Sequence, residues 1–100
     1  MKAVSILDSV LQEEYDRSIR MKQAMEKERD ALPKGYISEK MISGKKYYYL
    51  QNRQQAKIVS KYINLDDVES IKEKISRRKQ LENSIKELND NIEKIRKVTS

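Results

Sequence analysis

Apolar and small residues recur at three- and four-residue steps through the first third of the chain, at Val4, Leu7, Leu11, Ser18, Met21, Met25 and Leu32, with polar residues between them. That period marks one face of an α-helix and predicts a helix over residues 3–32. Ser5 is a candidate N-cap. Pro33 disfavours helical geometry at Leu32, and Gly35 follows, so the helix is expected to stop at Ala31 or Leu32. The helical period returns with Val68, Ile71, Ile75, Leu81, Ile85, Leu88, Ile92 and Ile95, heptad-like from Leu81 onward and free of Gly and Pro, which predicts a second helix over residues 65–97. Its start is strongly signalled. Asn64 suits the N-cap, Asp67 stands at the third helical position, Asp66 and Glu69 suit the positive end of the helix dipole, and Ile63 can staple onto Val68. At about 1.5 Å per residue, this helix is roughly 45–50 Å long. Its stripe needs a long cover, which the first helix can supply as an antiparallel neighbour in a coiled-coil-like pair; a homodimer through the helices is the other cover. Between Ile75 and Leu81 the spacing breaks around Arg77, Arg78 and Lys79, which predicts a local shift in the seam.

Between the helices the period changes to that of strands. Ile42-Ser43-Gly44-Lys45 is a tight-turn signal joining Tyr36–Ile42 to Lys46–Gln51, and the polar Arg53-Gln54-Gln55-Ala56 joins the latter to Lys57–Ile63. The fold class is therefore α+β: long helix, three-stranded antiparallel β-meander, long helix, in a single domain. Strand alternation sorts the side chains, placing Ile37, Met41, Tyr48, Leu50, Val59 and Lys61 on one face and Tyr36, Lys40, Ile42, Tyr47, Tyr49, Ile58 and Tyr62 on the other. A one-residue shift of the first turn on both sides leaves the faces unchanged, because the paired residue numbers still sum to an odd value. The triplet Tyr47-Tyr48-Tyr49 is thus no single platform, since Tyr48 points away from its neighbours.

Composition narrows this picture. The chain has 100 residues, 38% of them charged, with no Phe, Trp or Cys and a mean hydropathy of −0.92. So few large apolar groups suit elongated helices sharing a narrow seam. The methionines Met21, Met25 and Met41 are expected as core filler. Without cysteine there are no disulfides or thiolate metal sites, and a cytoplasmic setting is the default. The N-terminal stretch meets Asp8, Glu13, Glu14 and Asp16 before any apolar run long enough for a signal peptide or a membrane span, so no membrane association is expected.

The net charge of +6 is unevenly spread. Residues 1–35 hold seven basic and seven acidic side chains, and residues 65–100 hold nine and eight. Between Tyr36 and Asn64, Lys40, Lys45, Lys46, Arg53, Lys57 and Lys61 face the single acid Glu39, a local charge of +5. Tyrosine rings beside lysines can stack on bases while the ammonium groups meet phosphates. Tyrosine is also a favoured strand residue with a wet tip, and the first reading of each ring is packing of the sheet against the helices. Lysines on edge strands commonly serve against aggregation, which can account for some of Lys40, Lys57 and Lys61 but hardly for a segment with one acid. Arg77-Arg78-Lys79 reads as solvated helix surface with salt bridging, its side chains diverging within one turn.

Catalysis is not expected. With no His, no Cys and only two glycines, the common nucleophile, base and phosphate-cradling arrangements cannot be assembled. Asp66 and Asp67 already have a capping role, no calcium-loop spacing exists, and no cofactor or metal is expected.

The runs Leu32-Pro33-Lys34-Gly35-Tyr36-Ile37-Ser38, Ile42-Ser43-Gly44-Lys45-Lys46-Tyr47-Tyr48-Tyr49-Leu50-Gln51 and Lys57-Ile58-Val59-Ser60-Lys61-Tyr62-Ile63 resemble a family of small uncharacterised bacterial and mobile-element proteins. Those chains combine an LPKG-type helix exit, a GKKYYYLQ-type hairpin, an SKYI-type strand and a charged C-terminal helix. The resemblance covers roughly residues 30–97 and implies architecture rather than activity. Arg53-Gln54-Gln55-Ala56 departs from the glycine-rich second turn of that pattern. A weaker likeness runs to the arm-type DNA-binding domains of phage integrases, with three-stranded sheets that follow a Gly-Lys turn and alternate aromatic with basic residues. It implies DNA contact through Lys46, Tyr47, Tyr49, Arg53, Lys57 and Lys61.

Two function classes follow. One is a non-enzymatic nucleic-acid-binding module using Lys40, Lys45, Lys46, Tyr47, Tyr49, Arg53, Lys57, Lys61 and Tyr62 on DNA or RNA, with the helices dimerising or setting spacing. The other is a protein-interaction module, such as an adaptor, an antitoxin-like partner or a phage-encoded inhibitor of a defence protein. Localised charge favours the first.

Overall fold

The structure, a computed structural model, describes residues 6–99, with the side chain of Thr99 excepted. The elements are α1 (Ile6–Asp30), β1 (Tyr36–Ile42), β2 (Lys45–Gln54), β3 (Lys57–Ile63), a 3-10 turn at Leu65–Asp67, and α2 (Val68–Thr99). The Ser5 cap and the Val4 position of the first stripe lie outside the described residues. Helix α1 ends at Asp30, one to two residues before the expected stop, because the chain is already turning at Ala31 to meet the Pro33 restraint.

The two helices pack against each other, as the length of the α2 stripe requires. Packing divides the chain into two compact units, one made of Met1–Asp30 with Gln80–Ser100 and the other of Ala31–Lys79. The division falls where the α2 spacing breaks.

In the helical unit, the covered positions of α1 are Leu11, Tyr15, Ser18, Lys22, Met25 and Arg29, a strict alternation of four- and three-residue steps flanked by Glu14, Ile19 and Glu26. Those of α2 are Leu81, Ile85, Leu88, Ile92 and Ile95, flanked by Ser84. Arg96 donates from Nη2 to the Tyr15 hydroxyl at 3.4 Å, which joins an early residue of α1 to a late one of α2 and sets the pair antiparallel. This bond and the field of Glu93 hold the Arg96 proton more firmly than usual. Ser18, a small polar side chain on this seam, is buried.

The seam differs from the expected stripe at several places. Leu7 and Met21 are exposed, and Tyr15, Lys22 and Arg29 occupy covered positions instead. Long polar side chains can lie along an apolar surface with their heads in water, so a seam position need not be apolar in its name. Of the three methionines expected in the core, Met25 is half-buried, while Met21 and Met41 are exposed. Met41 sits one residue pair from the first hairpin turn, beyond the reach of the sheet's cover.

In the sheet unit the strands run in the order β1-β2-β3, both pairs antiparallel. Ile42 pairs with Lys45, leaving a two-residue loop at Ser43-Gly44. Both loop residues have positive φ, 53° and 80°, the geometry of a type I′ turn, for which glycine at the second position is well suited. The second connection is tighter than expected. Strand β2 continues to Gln54, which pairs with Lys57, so the loop is Gln55-Ala56 alone. Gln55 has φ 57°, in the left-handed region, where a side chain costs about 1 kcal/mol or more. Replacing Gln55 with Gly is therefore expected to stabilise the protein by about 0.5–1 kcal/mol, because the relieved strain exceeds glycine's entropic cost. A thermal melt that falls rather than rises would contradict this.

The start of α2 also departs from expectation. Asn64 has the extended backbone of a cap (φ −63°, ψ 139°), yet its side chain makes no capping hydrogen bond. The Asp67 amide instead donates to the Asn64 carbonyl at 2.9 Å, tightening the first turn into a 3-10 turn. Ile63 and Val68 are both buried, as a staple across the helix start requires. Arg78, expected on solvated surface, is partly buried and donates from Nη1 to the Leu32 carbonyl at 2.8 Å. The guanidinium thereby satisfies a carbonyl just past the end of α1, where backbone acceptors lack helical partners.

Candidate nucleic-acid interface

The registers fix which side chains share a face of the meander. Paired residues sum to 87 between β1 and β2 and to 111 between β2 and β3, both odd, so the faces are those expected from alternation. One face carries Ile37, Tyr48, Leu50 and Ile63. Leu50 and Ile63 line a cavity of about 490 Å³ together with Leu32, Pro33 and Ile71, so the helix exit and the start of α2 cover the part of this side around Leu50 and Ile63, while Met41 and Val59 on the same face are exposed.

The other face is open. Tyr36 on β1 and Tyr62 on β3 are 53% and 58% exposed, and Ile42 and Ile58 on the same face are also exposed. Tyr47 and Tyr49, on the central strand, are half-buried. Three of these tyrosines, Tyr47, Tyr49 and Tyr62, have ring partners among themselves. The Tyr62 ring centroid lies 5.9 Å from that of Tyr49, edge to face at 72°, and 6.5 Å from that of Tyr47, tilted by 52°. Tyr49 and Tyr62 are direct cross-strand partners, which places their rings together. Such aromatic pairs contribute about 0.5–1.5 kcal/mol beyond their burial. Lys40, across the β1–β2 pair, holds its ammonium 5.0 Å from the Tyr49 ring centroid, a cation–π contact.

Charge is distributed unequally between the faces. The open face holds Lys40, Lys45 and Arg53 and no carboxylate. The covered face holds Lys46, Lys57 and Lys61 with Glu39, the one acid of the segment, which pairs with Lys46 at 3.2 Å. Of the nine candidate binding residues, Lys40, Lys45, Tyr47, Tyr49, Arg53 and Tyr62 come together on the open face, whereas Lys46, Lys57 and Lys61 lie on the opposite one. Tyr36 joins the open face although it was not among the nine. Its parity with Lys40 and Ile42 is the sequence signal that places it there.

The surface can therefore offer flat apolar rings, hydroxyls and three cations to an anionic partner. Among the described residues no group of three or more acids or other ligand residues could hold a metal ion, and no helix is long and apolar enough to cross a membrane.

No curated protein and no solved structure matches the chain. A family model described as a domain of unknown function, DUF6788, matches residues 11–73. The matched segment takes in most of α1, the helix exit, the whole meander and the first residues of α2, and the open face lies entirely within it. By a match over that much of its length, the chain belongs to the DUF6788 family.

Proposed function

We propose that the protein is a nucleic-acid-binding module whose contact surface is the open face of the meander. The observation that carries this reading is the pairing of exposed rings with cations on a face that has no carboxylate, while the segment's only acid is held on the other side by Lys46. A face of this kind attracts polyanions over a distance, and burying its rings against bases removes apolar surface from water. The likeness to integrase arm-type domains supports the same reading, because there too aromatic and basic residues alternate on a three-stranded sheet.

With up to three phosphates neutralised by Lys40, Lys45 and Arg53, the logarithm of affinity should fall with the logarithm of salt concentration with a slope of about −2 to −3. Raising salt from 50 to 200 mM then weakens binding roughly 15–60-fold. Titration of labelled oligonucleotides at the two salt concentrations measures this directly. A second reading, binding to a protein, is favoured by the exposed Ile42 and Ile58 on the same face. Absence of oligonucleotide binding at low salt would abandon the first reading for the second.

A further inference from the structure

We infer that the open face takes single-stranded nucleic acid in preference to duplex, with bases stacking on Tyr36 and Tyr62. The inference rests on the nucleic-acid reading and names its substrate. Two requirements distinguish the forms. A duplex keeps its bases stacked on each other and presents phosphates and groove edges, so its partner needs cations more than rings. A single strand exposes base faces, and its partner gains by stacking aromatic side chains against them, at about 1–3 kcal/mol per base.

The rings are arranged for the second case. Four tyrosines share the face with three cations. Lys40 already sits over the Tyr49 ring, and Tyr47 and Tyr49 are both half-covered by their neighbours. The rings left open are Tyr36 and Tyr62, each more than half exposed. They stand on the two edge strands, Tyr36 level with Gln51 and Ser60, and Tyr62 level with Tyr49 and Ser38. Two strand spacings and one two-residue step therefore separate them, about 12 Å between backbones. A chain crossing the sheet diagonally meets one ring at each edge. Lys45 and Arg53 stand at opposite ends of the same face, near the two hairpin turns, where they can meet phosphates on either side of that path.

The test uses the full chain and a fluorescein-labelled 12-nucleotide pyrimidine strand, as DNA and as RNA, alone and annealed to its complement. Anisotropy at 50 mM salt is expected to show the single strand bound at least tenfold more tightly than the duplex. Tyr36→Ala and Tyr62→Ala are each expected to weaken single-strand binding about tenfold and duplex binding by clearly less. Tyr62→Phe, which keeps the ring, should restore all but about twofold. Circular dichroism melts of each variant show whether the sheet remains folded at the assay temperature, and Tyr36→Ala tests the same claim from the other edge should Tyr62→Ala unfold. Duplex binding equal to or tighter than single-strand binding overturns the inference while leaving the nucleic-acid reading intact. Unchanged single-strand binding in both folded alanine variants does the same. Binding to neither form overturns the underlying reading as well.

Discussion

Replacement of Gly35 by alanine is expected to destabilise the protein by about 3 kcal/mol or more, enough to leave much of it unfolded if its stability is typical of a small domain. Two independent effects act at this position. The backbone has φ +129°, a conformation in which a Cβ is strained whatever the surrounding space, at a cost of about 1–3 kcal/mol. The added Cβ would also overlap the Gln51 carbonyl oxygen. That oxygen belongs to the central strand, opposite Tyr36, so relief would require moving the β1–β2 pairing itself. Gly44 provides the internal control. Its φ is also positive, +80°, but nothing lies within 4 Å of an added Cβ, so Gly44→Ala should cost only about 1 kcal/mol. Chemical denaturation followed by circular dichroism separates the two. Equal losses would mean that the close approach of Gly35 to β2 is not what holds the entry to the sheet.

Truncation of Leu81 to alanine should have an effect of similar size for a different reason. Leu81 is 1% exposed, the most deeply buried large side chain among the described residues. Loss of a fully buried leucine removes its transfer free energy and leaves a cavity, together about 2–4 kcal/mol. For a chain of this size that corresponds to a fall in melting temperature of roughly 10–30 °C. Leu7, part of the apolar pattern but 65% exposed, should tolerate the same truncation with a change of no more than about 0.5 kcal/mol. If Leu7→Ala costs as much as Leu81→Ala, the helices are covered differently from the seam described above.

The meander was the most legible part of the chain. Strong turn chemistry at Ser43-Gly44 set one register, and the period of two made the face assignment robust to small errors, so Tyr36, Tyr47, Tyr49 and Tyr62 share a face as alternation requires. The α1 seam was harder to read. A search for apolar names finds Leu7 and Met21, whereas the packing uses Tyr15, Lys22 and Arg29, whose aliphatic or aromatic stems supply contact area. Arg78 departs from the rest of its cluster, because its partner is a backbone carbonyl 46 residues away, which no local pattern encodes. Nor could alternation reveal which face of the sheet is covered. Both faces carry apolar and basic residues, and the choice depends on the path of the chain through Leu32, Pro33 and Ile71.

The central claim is that binding belongs to one face and not to the basic segment as a whole. Two triple variants test it at constant net charge: Lys40→Glu, Lys45→Glu and Arg53→Glu on the open face, and Lys46→Glu, Lys57→Glu and Lys61→Glu on the covered one. Each reversal removes two charges, so either set takes the chain from +6 to zero. Oligonucleotide affinity at 50 mM salt, measured on folded variants, is expected to fall at least tenfold further for the open-face set. Equal losses from the two sets would contradict the account, because binding would then follow net charge and no particular face.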